Sequence, residues 1–238
     1  MTTLFHNLKA FVHHASSCLR ESRKDTTGHS QAIRARHARG FLEDVGITYE
    51  GPTQEQIKAL GPCIYVGNHT STLDALLICA FFEDNLRILA KESLFKIPWL
   101  GGILRHEKHI MVHRGKDASA RNAGIRDDIR KALDGGASIF FFPEGTRSPD
   151  GKLARFKRGA FYNAVQNDVP IVPVVLRGTF EAMPKSTLKI RPGHCSLTLL
   201  DPIPVPDASC GDETTRADIL LNQTHEILEK QLQSNHLA

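Results

Sequence analysis

Apolar side chains follow a helical period at the start of this chain. Within residues 1–24 they recur at steps of three and four, which predicts one apolar stripe along an amphipathic helix. The positions of this stripe are Phe5, Leu8, Val12, Ala15 and Leu19. A polar Asp-Thr-Thr-Gly segment at 25–28 then interrupts the pattern. We therefore expect the first helix to end there.

A second helical stretch runs over about 30–45 and is basic, because it contains Arg34, Arg36 and Arg39. Two interpretations of it stay open. It is a helix packed on the main domain, or a helix lying on an anionic membrane surface, where basic amphipathic helices commonly bind.

From about residue 60 the pattern changes to short β-prone runs that alternate with helical ones. The predicted strands cover 63–66, 87–90, 109–112, 138–142, 171–176 and 196–200. The predicted helices cover 73–82, 117–133, 156–165 and 216–232. This alternation indicates an α/β fold with a mainly parallel sheet flanked by helices. We expect an N-terminal amphipathic, membrane-associating helical segment over 1–50 and an α/β domain over 51–238.

Composition narrows the class of protein. The 238 residues are 41% hydrophobic and 24% charged, which is ordinary for a globular chain. Nowhere do about 18 consecutive apolar residues occur, so no transmembrane helix is expected. The net charge of +4 is too small to indicate nucleic-acid binding. The five cysteines are scattered without a CxxC pair, and the first residues do not resemble a signal peptide, so we expect a reducing compartment.

The first chemical candidate is the pair His69 and Asp74. His69 follows the strand at 63–66 and precedes the helix at 73–82, in the kind of strand-to-helix turn where α/β proteins place their sites. A carboxylate that accepts one imidazole N–H leaves the other nitrogen free to act as a general base. The alternative is a loop histidine beside a capping acid.

The second candidate is the segment 140–148, Phe-Phe-Phe-Pro-Glu-Gly-Thr-Arg-Ser. A buried strand runs here into a polar loop. Gly145 allows a ligand to approach the backbone, and Arg147 offers a planar donor fork suited to phosphate. The alternative is a turn in which Arg147 pairs with Glu144. No metal site is predicted, because His106, His109 and His113 fall on or beside a predicted strand that scatters them.

These two segments together resemble the glycerophospholipid acyltransferase family, the lysophosphatidate acyltransferases. The resemblance rests on Asn68-His69-x4-Asp74 and on Phe-Pro-Glu-Gly-Thr-Arg-Ser at 142–148. The segments 101–114 and 169–174 resemble the second and fourth motifs of the family, and 90–99 resembles the linker between the first two motifs. All four motifs occur in order within about 60–180.

The resemblance implies transfer of a fatty acyl group from an acyl thioester to the sn-2 hydroxyl of 1-acyl-sn-glycerol-3-phosphate, which gives phosphatidate. His69 would be the general base and Asp74 its orienting carboxylate. The residues implied for the acceptor phosphate are Arg114, Glu144, Gly145, Thr146 and Arg147. No bound cofactor is implied; acyl-CoA or acyl carrier protein would supply the acyl group. Lys91 and Lys157 are further candidates from charge and neighbourhood.

Three expectations remain open. The family often has a small or polar residue before the motif-two arginine, and His113 stands there instead, which leaves the acceptor head group in question. The expected location is peripheral, on the cytoplasmic face of a membrane, through the stripe at 5–19 and the basic residues at 34–39. The alternatives are an O-acyltransferase for another lysolipid, such as a lyso-amino-acid lipid, and a non-catalytic protein that binds anionic lipid.

Overall fold

A single mixed sheet organises the chain in the computed structural model, which describes residues 2–115 and 117–234. Over these residues the strands are β1 (Ile47–Glu50), β2 (Ile64–Gly67), β3 (Leu86–Lys91), β4 (Ile110–Val112), β5 (Ser138–Phe141), β6 (Ile171–Arg177) and β7 (Gly193–Leu199). Their order across the sheet is β1-β7-β6-β2-β5-β3-β4. Neighbours from β6 to β4 are parallel, whereas β7 runs antiparallel to β6.

Helices cover both faces of this sheet. In the described residues they are α1 (Thr2–Lys24), α2 (Ser30–Asp44), α3 (Gln54–Ala59), α4 (Leu73–Phe81), α5 (Glu92–Phe95), α6 (Leu100–His106), α7 (Ala118–Arg121), α8 (Ile125–Asp134), α9 (Gly159–Asn167), α10 (Thr179–Ala182) and α11 (Glu213–Ser234). The predicted fold class, a mainly parallel sheet flanked by helices with a helical N-terminus, is confirmed.

The central strands are buried on both faces, and alternate side chains enter two different apolar clusters. Tyr65 of β2 and Phe140 of β5 pack with residues of α2 and α4. Ile64 and Val66 of β2 pack with Ile139 of β5 and with α8, α9 and α11. Successive strand residues point to opposite faces, so two helical layers sandwich β2 and β5.

The pattern does not predict the short helices α3, α5, α6 and α10, and two further elements differ from the sequence prediction. The helix expected over 117–133 is divided into α7 and α8. The Asn122 side chain bonds both the N–H and the C=O of His113, and Gly124, a weak helix former, follows. The other is β1, which the pattern does not predict; it is only four residues long and pairs with β7 at the sheet edge.

The basic helix α2 is packed on the main domain. Arg34 is buried, and its Nε donates to Glu107 Oε2 at 2.6 Å. Arg36 pairs with Glu21 of α1, and Arg39 donates to Glu83 at 2.7 Å. The packed interpretation of this helix is confirmed, and the interpretation that Arg34 meets a membrane is wrong.

The apolar stripe of α1 is divided along its length. Ala15 and Leu19 are buried, whereas Phe5 and Leu8 are 60% and 58% exposed. A Cβ built on Gly102 of α6 would lie 2.6 Å from a Leu19 methyl, so glycine there permits the close approach of α1. Among the described helices, none is long and apolar enough to cross a membrane.

The division of the chain into 1–50 and 51–238 stays a prediction. β1 lies before that boundary and yet belongs to the sheet, and α2 packs closely against α4. The first two helices are therefore in direct contact with the α/β layers.

Candidate active site

The candidate site lies where two central strands end. His69 comes two residues after β2, and Glu144 comes three residues after β5. These strands are parallel neighbours, so their carboxyl ends share one edge of the sheet. Ligand sites of open α/β sheets form in this position.

A tight turn before α4 brings His69 and Asp74 together. His69 Nδ1 lies 2.9 Å from Asp74 Oδ2, and the same oxygen accepts the backbone N–H groups of Thr70 and Ser71 at 2.7 and 2.8 Å. Asp74 is fully buried in the first turn of the helix. The carboxylate therefore holds both the turn and the imidazole, and the arrangement requires His69 to carry its proton on Nδ1 when neutral.

One face of the imidazole is packed, and its far nitrogen is free. The Phe142 ring stacks on the His69 ring with centroids 3.9 Å apart and an interplanar angle of 19°. Among the described residues none gives a hydrogen bond to His69 Nε2, and the side chain is 19% exposed. Nε2 is thus the nitrogen available to a reacting group.

The loop after β5 holds the backbone of His69 from both sides. Glu144 Oε1 accepts the His69 N–H at 2.6 Å, and the Ser148 N–H donates to the His69 carbonyl at 2.7 Å. Glu144 Oε2 accepts the N–H of Ala154 at 3.1 Å. The two motifs that the sequence places 75 residues apart are therefore one hydrogen-bonded unit.

Glu144 is buried, with only 5% of its surface exposed. Burial raises the pKa of its carboxyl to about 7, and the charge of Asp74 adds to this, while the bonds from the His69 and Ala154 N–H groups oppose it. Since both oxygens accept backbone bonds, the geometry of Glu144 is that of a support for His69. The resemblance to the family instead implies a place among the phosphate-binding residues.

Cations surround the rest of this loop. Arg147 Nη1 donates to Thr72 Oγ1 at 2.6 Å, and Lys185 Nζ donates to the Arg147 carbonyl at 2.8 Å. Gly145 has φ +72°, and a Cβ built there would lie 2.7 Å from Lys157 Nζ. Glycine at 145 thus adopts this positive φ without strain and leaves room for the Lys157 side chain. Together these cations form a site suited to an anionic group.

Arg114 stands apart from the other predicted residues. It lies two residues beyond β4, at the same edge of the sheet, and is exposed. Three strand spacings of roughly 4.8 Å place β4 about 14 Å from β2. No hydrogen bond joins Arg114 to another residue within 2–115 and 117–234. Lys91, at the end of β3, is likewise exposed.

Two neighbours of the site are not predicted from the sequence. Asn68 donates to the Leu176 carbonyl at 2.9 Å and accepts the Leu176 N–H at 2.8 Å, which fastens the end of β2 to β6. Lys185 reaches the site from beyond α10, and its Nζ also lies 3.3 Å from Thr146 Oγ1. Lys185 follows the predicted strand at 171–176, whose carboxyl end adjoins that of β2. This position in the sequence is the feature that could have indicated that Lys185 lies near the site.

The described residues contain no group of three His, Cys, Asp or Glu side chains placed to hold a metal ion. The side chains that this edge of the sheet does bring together are an imidazole–carboxylate pair and a loop with neighbouring cations.

A histidine–aspartate pair at the end of a central strand of an α/β sheet, beside the loop at 144–148 and its neighbouring cations, is an arrangement suited to group transfer. The chain belongs to the acyltransferase family: the family model described as Acyltransferase matches residues 47–177. This range includes the whole histidine–aspartate turn and the loop at 144–148.

Curated relatives are named for one acyltransferase activity. A 1-acyl-sn-glycerol-3-phosphate acyltransferase of Limnanthes alba is 32% identical over 167 residues, which cover 70% of this chain and 58% of the relative. The 1-acyl-sn-glycerol-3-phosphate acyltransferase beta of Homo sapiens is 28% identical over 76% of this chain and 64% of the relative. The chain spans 51% to 58% of the plant relatives from Limnanthes and Cocos nucifera that it matches.

A solved structure agrees with the fold over nearly its full length. The crystal structure of the 1-acyl-sn-glycerophosphate acyltransferase, PlsC, from Thermotoga maritima superposes with a TM-score of 0.75 and covers 98% of this chain and 95% of that chain. Their sequences are 24% identical, so this likeness concerns the fold.

Proposed function

We propose that the protein transfers a fatty acyl group from an acyl thioester to the sn-2 hydroxyl of 1-acyl-sn-glycerol-3-phosphate, giving phosphatidate for phospholipid biosynthesis. The observation that carries this proposal is the His69–Asp74 pair, held by hydrogen bonds to the loop at 144–148. The names of the curated relatives state this activity, which supports the choice of acceptor.

In the proposed reaction His69 Nε2 takes the proton of the acceptor hydroxyl. Asp74 Oδ2, which accepts the Nδ1–H, fixes the tautomer and stabilises the imidazolium that forms. The backbone bonds from residues 70 and 71 keep the carboxylate in place during this step. A base positioned in this way contributes about 10²- to 10⁴-fold to the rate.

The hydroxyl oxygen then attacks the thioester carbonyl. A carbon–oxygen bond forms, the carbon–sulfur bond breaks, and the departing thiolate receives the proton from the His69 imidazolium. The product is an ester and a free thiol, so no acyl-enzyme is needed. The acyl group can come from acyl-CoA or from acyl carrier protein.

The acceptor phosphate is assigned to the cations around 145–147. Arg147 supplies a charged fork, Thr146 a hydroxyl, and Gly145 an open backbone. Arg114 reaches toward the same edge from the end of β4, and its exposed guanidinium can meet an anion. Glu144 is assigned a positioning role, because a carboxylate would repel phosphate and both its oxygens already accept backbone N–H groups.

The proposed location is peripheral, on the cytoplasmic face of a membrane, because acceptor and product both carry long acyl chains. Exposed apolar side chains offer contacts for the lipid: Phe5 and Leu8 on α1, and Leu94, Ile97 and Trp99 before α6. Apolar side chains at an interface, together with cations, are the usual means of such binding.

The test is a panel of acceptors and donors on the purified full chain. Lysophosphatidate should be acylated at least about tenfold faster than a lysolipid without a phosphomonoester, since charge-assisted bonds to phosphate are worth about 1.5–3 kcal/mol. Faster acylation of a lyso-amino-acid lipid would contradict the proposed acceptor. Binding of lysophosphatidate with no transfer from either acyl-CoA or acyl carrier protein would contradict the enzymatic assignment.

A further inference from the structure

A closed loop between α10 and β7 lies beside the candidate site. We call residues 183–191 the cationic loop. Its ends are joined by a bond from the Arg191 N–H to the Ala182 carbonyl at 2.9 Å, and Met183 and Ile190 anchor it in the main apolar cluster. Within it the Thr187 N–H donates to the Pro184 carbonyl at 3.1 Å. The tip is thus held in a defined shape.

The tip combines an exposed apolar side chain with positive charge. Leu188 is 70% exposed, more than any other large apolar side chain in the described parts of the chain. Lys185, Lys189 and Arg191 are exposed around it. No acidic residue occurs between Glu181 and Asp201, so no neighbour within this stretch of the sequence neutralises these cations.

The cationic loop is joined to the candidate site at its first residues. The Ser71 hydroxyl donates to the Met183 carbonyl at 2.7 Å, and Lys185 Nζ reaches Arg147 and Thr146. Three residues of extended chain span at most about 11 Å. Leu188 therefore lies within about 11 Å of Lys185 along the chain, on the loop that contacts the candidate site.

We propose that the cationic loop docks the protein on an anionic phospholipid surface. Leu188 enters the boundary between headgroups and acyl chains, and Lys189 and Arg191 bind lipid phosphates. This contact holds the His69 site at the depth where a lysolipid acceptor presents its headgroup. Its use in substrate delivery rests on the proposed function, but its binding to lipid does not.

An acidic carrier protein is the other anionic surface that such cations could meet. A single leucine projecting from a short loop fits a fluid lipid surface better, because a protein partner needs a larger patch of matching shape. The exposed neighbours of Leu188 within the cationic loop are polar or charged, so the loop presents no such patch.

The experiment measures co-sedimentation of the full chain with vesicles, in the absence of any acyl donor. Vesicles of phosphatidylcholine alone are compared with vesicles that contain phosphatidylglycerol. The double variant Leu188→Asp/Lys189→Glu should lower the anionic-to-neutral partition ratio by about tenfold or more. The matched control Ile227→Asp/Lys230→Glu, on α11, should leave that ratio within about twofold of the unmodified protein.

Unchanged binding of the loop variant to anionic vesicles would overturn the proposal. So would a variant that keeps vesicle binding but loses transfer from acyl carrier protein and not from acyl-CoA, since the partner would then be the acidic protein. The unmodified protein could bind anionic vesicles and yet show no acyl transfer, while the loop variant loses that binding. This result would contradict the proposed function and support the proposed role of the cationic loop in docking. With short-chain, monomeric lysophosphatidate the variant should retain the unmodified turnover.

Discussion

At the scale of single residues, hydrogen bonds to the backbone of His69 fix its position, although its side chain is partly exposed. Glu144 accepts its N–H and Ser148 donates to its carbonyl, so the loop after β5 sets the position of the proposed base. In the proposed function Glu144 positions the histidine, and Arg147 binds the acceptor phosphate. Substitutions at these two positions should therefore have different effects.

Replacing Glu144 should change how stability depends on pH. Burial raises the pKa of Glu144 from its ordinary 4.5 to about 7. Between these values the folded carboxyl keeps a proton that the unfolded one has lost, so its contribution to stability is full below 4.5 and is lost as the pH rises through about 7. Glu144→Gln does not titrate, so it should remove this decline in the free energy of unfolding.

Urea unfolding at about pH 5 and about pH 8 measures this difference directly. Glu229, on the exposed face of α11, provides the matched control, since Glu229→Gln should leave the pH dependence unchanged. An equal decline in Glu144→Gln and in the unmodified protein would show that Glu144 is not the titrating group.

Arg147→Ala should weaken acceptor binding with little effect on the donor. Loss of charge-assisted bonds to the phosphate predicts a rise of about tenfold or more in the KM for lysophosphatidate, and an unchanged KM for acyl-CoA. Arg130→Ala, which removes an exposed arginine on α8, is the control. Equal rises in both KM values would indicate a general loss of structure instead.

Among the helices and strands, a buried ion pair fastens the second helix to its neighbours. Arg34 of α2 binds Glu107 at the end of α6, and its other nitrogens donate to the carbonyls of Cys79 and Phe82. Both charged side chains are almost wholly buried. His109 Nε2 also lies 3.2 Å from Glu107 Oε2, but removal of Arg34 takes away the charged partner that Glu107 has in this buried site.

Arg34→Ala should therefore destabilise the fold by about 3–5 kcal/mol in denaturant unfolding. The double variant Arg34→Met/Glu107→Leu should recover much of that loss, because it leaves neither charge of this pair unpaired. A cost below about 1 kcal/mol for the single variant would mean that the pair contributes little to holding α2.

The elements that the sequence predicts best are those with a strong local pattern. β2, β5 and β6 are continuous apolar runs, and the turn from His69 to Asp74 is short, so neighbours in the chain carry the information. β1 escapes prediction because four residues of mixed polarity give too little pattern. The burial of Arg34 also escapes it, because its partner lies 73 positions away.

In the candidate site, too, contacts between neighbours in the sequence can be predicted and long-range contacts cannot. His69 and Asp74 can be paired from their spacing, whereas the bond from Lys185 to residue 146 spans 39 positions and has no motif that indicates it. The segment that contains Glu144 resembles a family motif that binds phosphate. Only the backbone N–H groups that bond to Glu144 in the structure indicate that this residue supports His69. Long-range contacts of this kind depend on the assembled sheet.

At the scale of the whole molecule, one part of the apolar stripe of α1 is buried in the core and the other part is exposed to solvent. Phe5 and Leu8 are exposed, while Ala15 and Leu19 pack inside. The double variant Phe5→Asp/Leu8→Asp should lower binding to neutral phosphatidylcholine vesicles by about tenfold or more, because two apolar contacts are replaced by charges.

Thermal unfolding of this variant should match that of the unmodified protein, since neither side chain is buried. Undiminished binding to neutral vesicles would remove α1 from the proposed membrane contact. The cationic loop and the exposed apolar residues before α6 would then have to account for binding.

The proposed reaction depends above all on His69 as the base of the acyl transfer. Its role is measured by the initial rate of thiol release from acyl-CoA with lysophosphatidate as acceptor, for the unmodified protein and for His69→Ala. We expect a kcat lower by about 10²- to 10⁴-fold in the variant, with an unchanged unfolding transition. Undiminished turnover by a folded His69→Ala protein would contradict this role.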